Sequence, residues 1–99
     1  MTSAGPRARD RRRRRQKRDR HYRAVCAVVD QRDGPQCRAC KRWVEGRAHH
    51  HHLVFRSHGG ADSASNVIRL CPECHDRVHR RRLLVRGRTA ETVTFEVAP

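Results

Sequence analysis

Apolar side chains are what this chain has least of. Leu, Ile, Val and Phe together number only seventeen of its 99 residues, below the roughly 20% at which a strongly charged chain stops being able to fold on its own core. Aromatic residues make up 4% and there is a single Met, so buried hydrophobic surface cannot be the sole source of stability. A domain this small has disulfides, a metal or oligomerisation left as staples. No apolar run approaches the roughly 18 residues a spanning helix requires, which argues against a membrane-embedded protein. The basic amino terminus is followed by no apolar h-region, so no secretory signal is expected and a reducing, cytoplasmic compartment is the default.

Acidic residues are also scarce. Ten Asp and Glu face 24 Lys and Arg, for a formal charge of +14 and a pI near 11.5. A polyanion is the partner such a surface selects, nucleic acid or an anionic membrane face. Residues 1–23 hold eleven of the basic residues against Asp10 and Asp19. The length allows one domain, at roughly 100–200 residues per domain. Residues 1–18 read as a disordered basic arm, because the run Arg11, Arg12, Arg13, Arg14, Arg15 followed by Lys17 and Arg18 repels itself at i,i+4 spacing in an isolated helix. That arm is the candidate nucleic-acid contact. Residues 19–99 read as a single folded domain.

From Asp19 the residues Tyr22, Val25, Cys26, Val28 and Val29 follow helical periodicity, and Gly34-Pro35 supplies the stop. Short strands are expected over 47–54 and 67–70, with a loop between them through Gly59-Gly60. A helix is expected from Pro72, a good first-turn residue, to about Arg82. The segments 83–86 and 92–97 suggest a terminal hairpin. The fold class is small α+β, centred on metal.

Cys37-Arg-Ala-Cys40 and Cys71-Pro-Glu-Cys74 form two CxxC pairs with thirty residues between them. Two residues between thiolates let one tight turn present both sulfurs to one ion, and two such turns complete a tetrahedron. The expected cofactor is a structural Zn2+, whose binding free energy becomes folding free energy; disulfides or mononuclear iron are the competing readings. Cys26 is left over, as a small core hydrophobe.

Four of the eight histidines are consecutive, His49 to His52. A purification tag is disfavoured by the interior position, and generic metal scavenging is the other bland reading. Against both stands the i,i+4 spacing of His75 and His79, by which one helix face offers two imidazoles to one ion. A strand histidine could complete three ligands and leave positions open for water and phosphate. Its neighbour, projecting the other way, could serve as a base near neutral pH.

The stretch His51-His52-Leu53-Val54-Phe55-Arg56-Ser57-His58-Gly59-Gly60, then Asn66 through Cys71-Pro72-Glu73-Cys74-His75, then His79, resembles the HNH endonucleases of the zinc-knuckle branch found in phage and bacterial genomes. The all-histidine set is similar to the nuclease domains of DNase colicins. The resemblance covers about Cys37 to His79 and implies a ββα-metal finger. It makes His51, His75 and His79 ligands of one catalytic divalent ion, His52 the general base, and Asn66 the residue that holds the loop and orients the base. It implies DNA as substrate, a metal-dependent phosphodiester hydrolysis leaving a 5′-phosphate and a 3′-hydroxyl, a phage setting in a bacterial host cell, and packaging proteins such as a terminase as partners.

Two departures matter. Many members have Asp where this chain has His51, which moves the expected metal from Mg2+ towards Mn2+, Ni2+, Co2+ or Zn2+. Phe55 stands where proline is frequent. His49, His50 and His58 are surplus, expected in solvent or against phosphate. Arg56 and Arg69 are candidates to clamp a phosphate or are solvated surface charges. The alternative from another class is a zinc-knuckle nucleic-acid-binding protein without catalysis. A disordered polycation explains residues 1–23 but not four ordered cysteines.

Overall fold

The computed structural model describes residues 6–99. Its longest element is α1, Pro6–Asp33, a rod of about 42 Å at 1.5 Å per residue. It gives the molecule a long axis of 56 Å against 27 and 24 Å across. Only the carboxyl-terminal part of α1 is anchored: Val25 and Val29 are buried against Val67, with Tyr22 and Ala64 beside them. Arg9 to Arg20 are exposed throughout.

The disordered arm expected through residue 18 is therefore corrected from Pro6 onward. Helix runs without a break across residues 18 and 19. The anchored half already carries the nucleation cost, so each further residue adds one hydrogen bond, and Arg, Lys, Gln and Ala propagate helix well. Repulsion between neighbouring guanidinium groups in water is a few tenths of a kcal/mol per pair and does not outweigh this. Residues 1–5 of the expected arm lie outside the described residues. The stop falls where expected, with Gly34 in the left-handed region at φ 69° and its N–H donating to the Asp30 carbonyl at 2.9 Å.

After the knuckle of Cys37 and Cys40 come β1 (His49–His52), single 3-10 turns at Arg56–His58 and Ala64–Asn66, β2 (Val67–Leu70), α2 (Pro72–His79), β3 (Leu83–Arg86) and β4 (Thr94–Val97). β1 and β2 pair antiparallel with His49 opposite Leu70 and His52 opposite Val67. β3 and β4 form the expected hairpin. β1 is shorter than expected and α2 ends at His79, because Arg81 turns at φ 59° to send the chain back into β3.

All four residues of β2 are buried, and their alternation organises the molecule. Val67 packs against α1 and Arg69 bonds to it. Ile68 and Leu70 join the larger core cluster with Val44, Leu83, Ala90 and the thiols of Cys37, Cys71 and Cys74. Three of the four knuckle cysteines are thus part of the core itself. Asp33 ties α1 to this unit. Its side chain is 1% exposed and receives Arg32 and Arg38 and the backbone N–H of Arg69. Burial alone would raise the Asp33 pKa, but these donors hold it below the usual carboxylate range.

A candidate metal centre and its cleft

The four consecutive histidines lie on β1, so successive rings leave opposite faces. His49 and His51 face α2, and His50 and His52 face α1. On the α2 side, nitrogens of His51, His75 and His79 lie within 4.8 Å of one another, and Nε2 of His75 is 3.0 Å from Nε2 of His79. Donors about 2.0–2.1 Å from one ion stand roughly 3.0–3.4 Å apart; the His75–His79 pair already stands at that separation, and His51 is near enough to join it around a shared cation. His51 is 5% exposed; burial first, then the neighbouring rings of His75, His79 and His52, push its pKa down to about 4. Burial and the rings of His79 and His49 likewise lower His75. Both rings stay neutral near pH 7, the form that ligates.

His49 is exposed, yet its Nδ1 lies 2.7 Å from Nδ1 of His75. It occupies the outer nitrogen of a candidate ligand, the contact that fixes tautomer and ring orientation in metal sites. His50 bonds Asp30 through Nε2 at 2.7 Å. His58 is exposed and lies beside Phe55. The sequence pattern had all three as surplus, but alternation along β1 was the signal that places His49 beside His51.

On the α1 side, Nε2 of His52 is 2.8 Å from Oδ1 of Asp62, and its ring stacks on Tyr22 with centroids 5.4 Å apart. Arg56 donates to both Asp62 oxygens while lying over the Tyr22 ring, 4.5 Å from its centroid. Hydrogen bonding from Arg56 is the largest influence holding Asp62 below its usual pKa. Neither Asp62 nor Tyr22 stood out in the sequence as part of a site. A cleft of about 330 Å³ brings the two sides together, lined by His51, His75 and His79 and by His52, Phe55 and Arg56.

Asn66 is buried at the end of the loop. Its Oδ1 accepts from the Val54 N–H at 2.8 Å and its Nδ2 donates to the carbonyls of Val54 and Ala61. It therefore holds the loop that carries Phe55 and Arg56. Arg69 is a correction. It is 8% exposed, with Nη1 on Asp30 and Nη2 on the Val44 carbonyl, so it braces α1 against the sheet and is not presented to a phosphate. Strand alternation puts it on the face of β2 that α1 covers, beside Val67. Arg56 stays at the cleft, and Arg11 to Arg15, Lys17 and Arg18 line the exposed half of α1.

The second cluster is the tetrathiolate. The sulfurs of Cys37, Cys40, Cys71 and Cys74 lie within 4.8 Å of one another, and Cys40 Sγ is 3.9 Å from Cys71 Sγ. A tetrahedron with 2.3 Å metal–sulfur bonds has edges of about 3.8 Å. Cys37 Sγ accepts from the N–H groups of Ala39 and Cys40, and Cys71 Sγ from that of Cys74, which also caps α2. Burial raises the Cys37 thiol, but the surrounding N–H groups bring it down to about 7. Burial and the adjacent thiols raise Cys74. Four sulfurs crowded so closely cannot all ionise without a cation among them, and the set fits a zinc knuckle.

Strand, loop, strand and helix around an imidazole cluster, stapled by a tetrathiolate, define a ββα-metal nuclease fold. Residues 37–81, a little under half of the chain, match the model of the HNH endonuclease family. The chain is 35% identical over 71 residues to a protein of Nostoc sp. named Anaredoxin, across 71% of this chain and 91% of that one. It is also 48% identical over 29 residues to the type IV methyl-directed restriction enzyme EcoKMcrA of Escherichia coli; that match takes in 29% of this chain and 10% of the enzyme.

Proposed function

We propose that the protein is a metal-dependent DNA endonuclease that hydrolyses phosphodiester bonds, with His52 as general base and one divalent ion held by His51, His75 and His79. The observation that carries the reading is the convergence of these three imidazoles in a cleft that His52 also lines. A divalent ion held there would supply Lewis acidity for the negative charge that builds up on the phosphate. His52 takes a proton from the attacking water as its oxygen bonds to phosphorus, the P–O3′ bond breaks, and the departing 3′ oxygen takes a proton from solvent, leaving a 5′-phosphate and a 3′-hydroxyl. Asn66 keeps the loop in register with the cleft, and Arg56 stands where it can contact a phosphate. Arg11 to Arg15, Lys17 and Arg18 supply sequence-independent attraction to the backbone. Three soft-to-borderline nitrogen donors favour Mn2+, Co2+, Ni2+ or Zn2+ over Mg2+.

In this reading the tetrathiolate holds Zn2+ as a closed structural site. Metal analysis of the purified chain together with its visible spectrum separates zinc, which is colourless, from iron. A phage-encoded role beside the packaging machinery of a bacterial host rests on the family resemblance alone. Cleavage of supercoiled plasmid with a panel of divalent cations, run beside His52→Ala, tests the activity. The variant should lose at least about a hundredfold in rate while keeping its melting temperature and DNA affinity. Plasmid left intact by folded wild-type protein under every cation would refute the nuclease and favour a zinc-knuckle binding protein without catalysis.

A further inference from the structure

We infer that Asp62 and Tyr22 are positioning residues for His52, fixing its ring in the tautomer that leaves Nδ1 free to take a proton. The inference rests on the nuclease reading for its purpose, but its geometry stands on its own. An imidazole acts as a base only if its reacting nitrogen is unprotonated, and the hydrogen bond made by the other nitrogen decides which one that is. Nε2 of His52 lies 2.8 Å from the Asp62 carboxylate. An ionised carboxylate only accepts, so the ring proton resides on Nε2. Nδ1 has no hydrogen-bond partner among the described residues.

The arrangement is buttressed from two directions. Asp62 and His52 are each 13% exposed at the side chain, so water competes weakly for their bond. Arg56 reaches Asp62 through Nε at 2.8 Å and Nη2 at 3.1 Å and keeps the carboxylate ionised and aimed. Tyr22 covers the His52 ring at an interplanar angle of 20°, which blocks rotation about the last side-chain bond. His21, the residue before it on α1, has Nε2 3.1 Å from the Asp62 carbonyl. The basic helix is thus joined to the base through two consecutive residues. When His52 takes a proton from water, the positive charge on the ring meets the Asp62 carboxylate at once. The contact thereby stabilises the imidazolium that the step forms.

Two measurements test this. Imidazole 15N spectra of the full-length, metal-loaded wild-type protein should show His52 protonated at Nε2 and bare at Nδ1. The opposite tautomer overturns the inference whatever any variant does. Asp62→Asn should lower kcat at least about tenfold with KM and DNA affinity unchanged and the His52 tautomers mixed; Asp62→Glu should recover part of kcat. Wild-type kcat in Asp62→Asn, or an equal fall in kcat for both variants with the tautomer unaltered, would also overturn it. Should Asp62→Asn fail to fold, the wild-type spectrum and Tyr22→Leu decide, the latter expected to lower kcat and broaden the His52 resonances. Because the tautomer is read without cleavage, an inactive protein would sink the nuclease reading and leave this one separately testable.

Discussion

At the scale of single residues, chemical type and position decide different things. Histidine at 49, 50, 51 and 52 is one chemistry repeated, and backbone alternation gives it four jobs: bracing His75, bonding Asp30, offering a metal donor and bonding Asp62. The resemblance to the HNH motif singled out His51, His52, His75 and His79 as candidates, and the fold brings the rings of His51, His75 and His79 together. Asp62 was invisible because its role exists only once the loop folds back onto β1. Arg69 shows the reverse error, since an arginine reads as surface until the strand that carries it is known to be covered on both faces. Its replacement gives a clear outcome. Arg69→Ala removes a buried side chain that bonds Asp30 and the Val44 carbonyl; because Asp30 is 41% exposed and keeps His50, the main loss is at the buried carbonyl, about 1–3 kcal/mol of stability. Thermal melts should show that loss, while DNA binding measured well below the melt should keep its salt slope, because no phosphate contact is removed.

Among elements, the short strands were found to within two residues, and β2 and the terminal hairpin fall where β-branched residues cluster. α2 was placed by Pro72 at its start and misjudged only at its end, where the need to enter β3 forces Arg81 into the left-handed region. What sets the loop between β1 and β2 is less legible. Gly60 approaches so closely that a Cβ there would run into the Val54 carbonyl, the same carbonyl that Asn66 holds from the other side. Gly60→Ala should therefore force the loop open, costing at least about 1–3 kcal/mol. It should lower cleavage more than the melt alone predicts, because Arg56 and Asp62 travel with the loop. A variant with unchanged turnover and melting temperature would show that the loop has slack.

For the whole molecule, the scarcity of apolar residues has a direct counterpart in the core, where three cysteine side chains fill places a larger domain would give to Leu or Ile. The metal implied by the tetrathiolate is thus bound up with folding. Cys37→Ser or Cys71→Ser should leave the domain unfolded, as expected when a site worth roughly 10–16 kcal/mol is removed. A circular dichroism melt unchanged by either substitution would contradict this. The long α1 was only half legible, because charge repulsion argued for disorder while the anchoring of its far half lay outside the local pattern. Deleting residues 7–18 should weaken DNA binding for all sequences alike and flatten its dependence on salt, which titrations at several ionic strengths would measure. A rigid rod fixed at one end also acts as a ruler. From Tyr22, stacked on the His52 ring, back to Arg9 is about 20 Å along the axis, or roughly six base pairs at 3.4 Å each. If α1 lies along duplex as the nuclease reading has it, DNA that stops short of that distance on the helix side of the cut would leave the outer arginines over empty solvent, and affinity should fall once the duplex is trimmed below it.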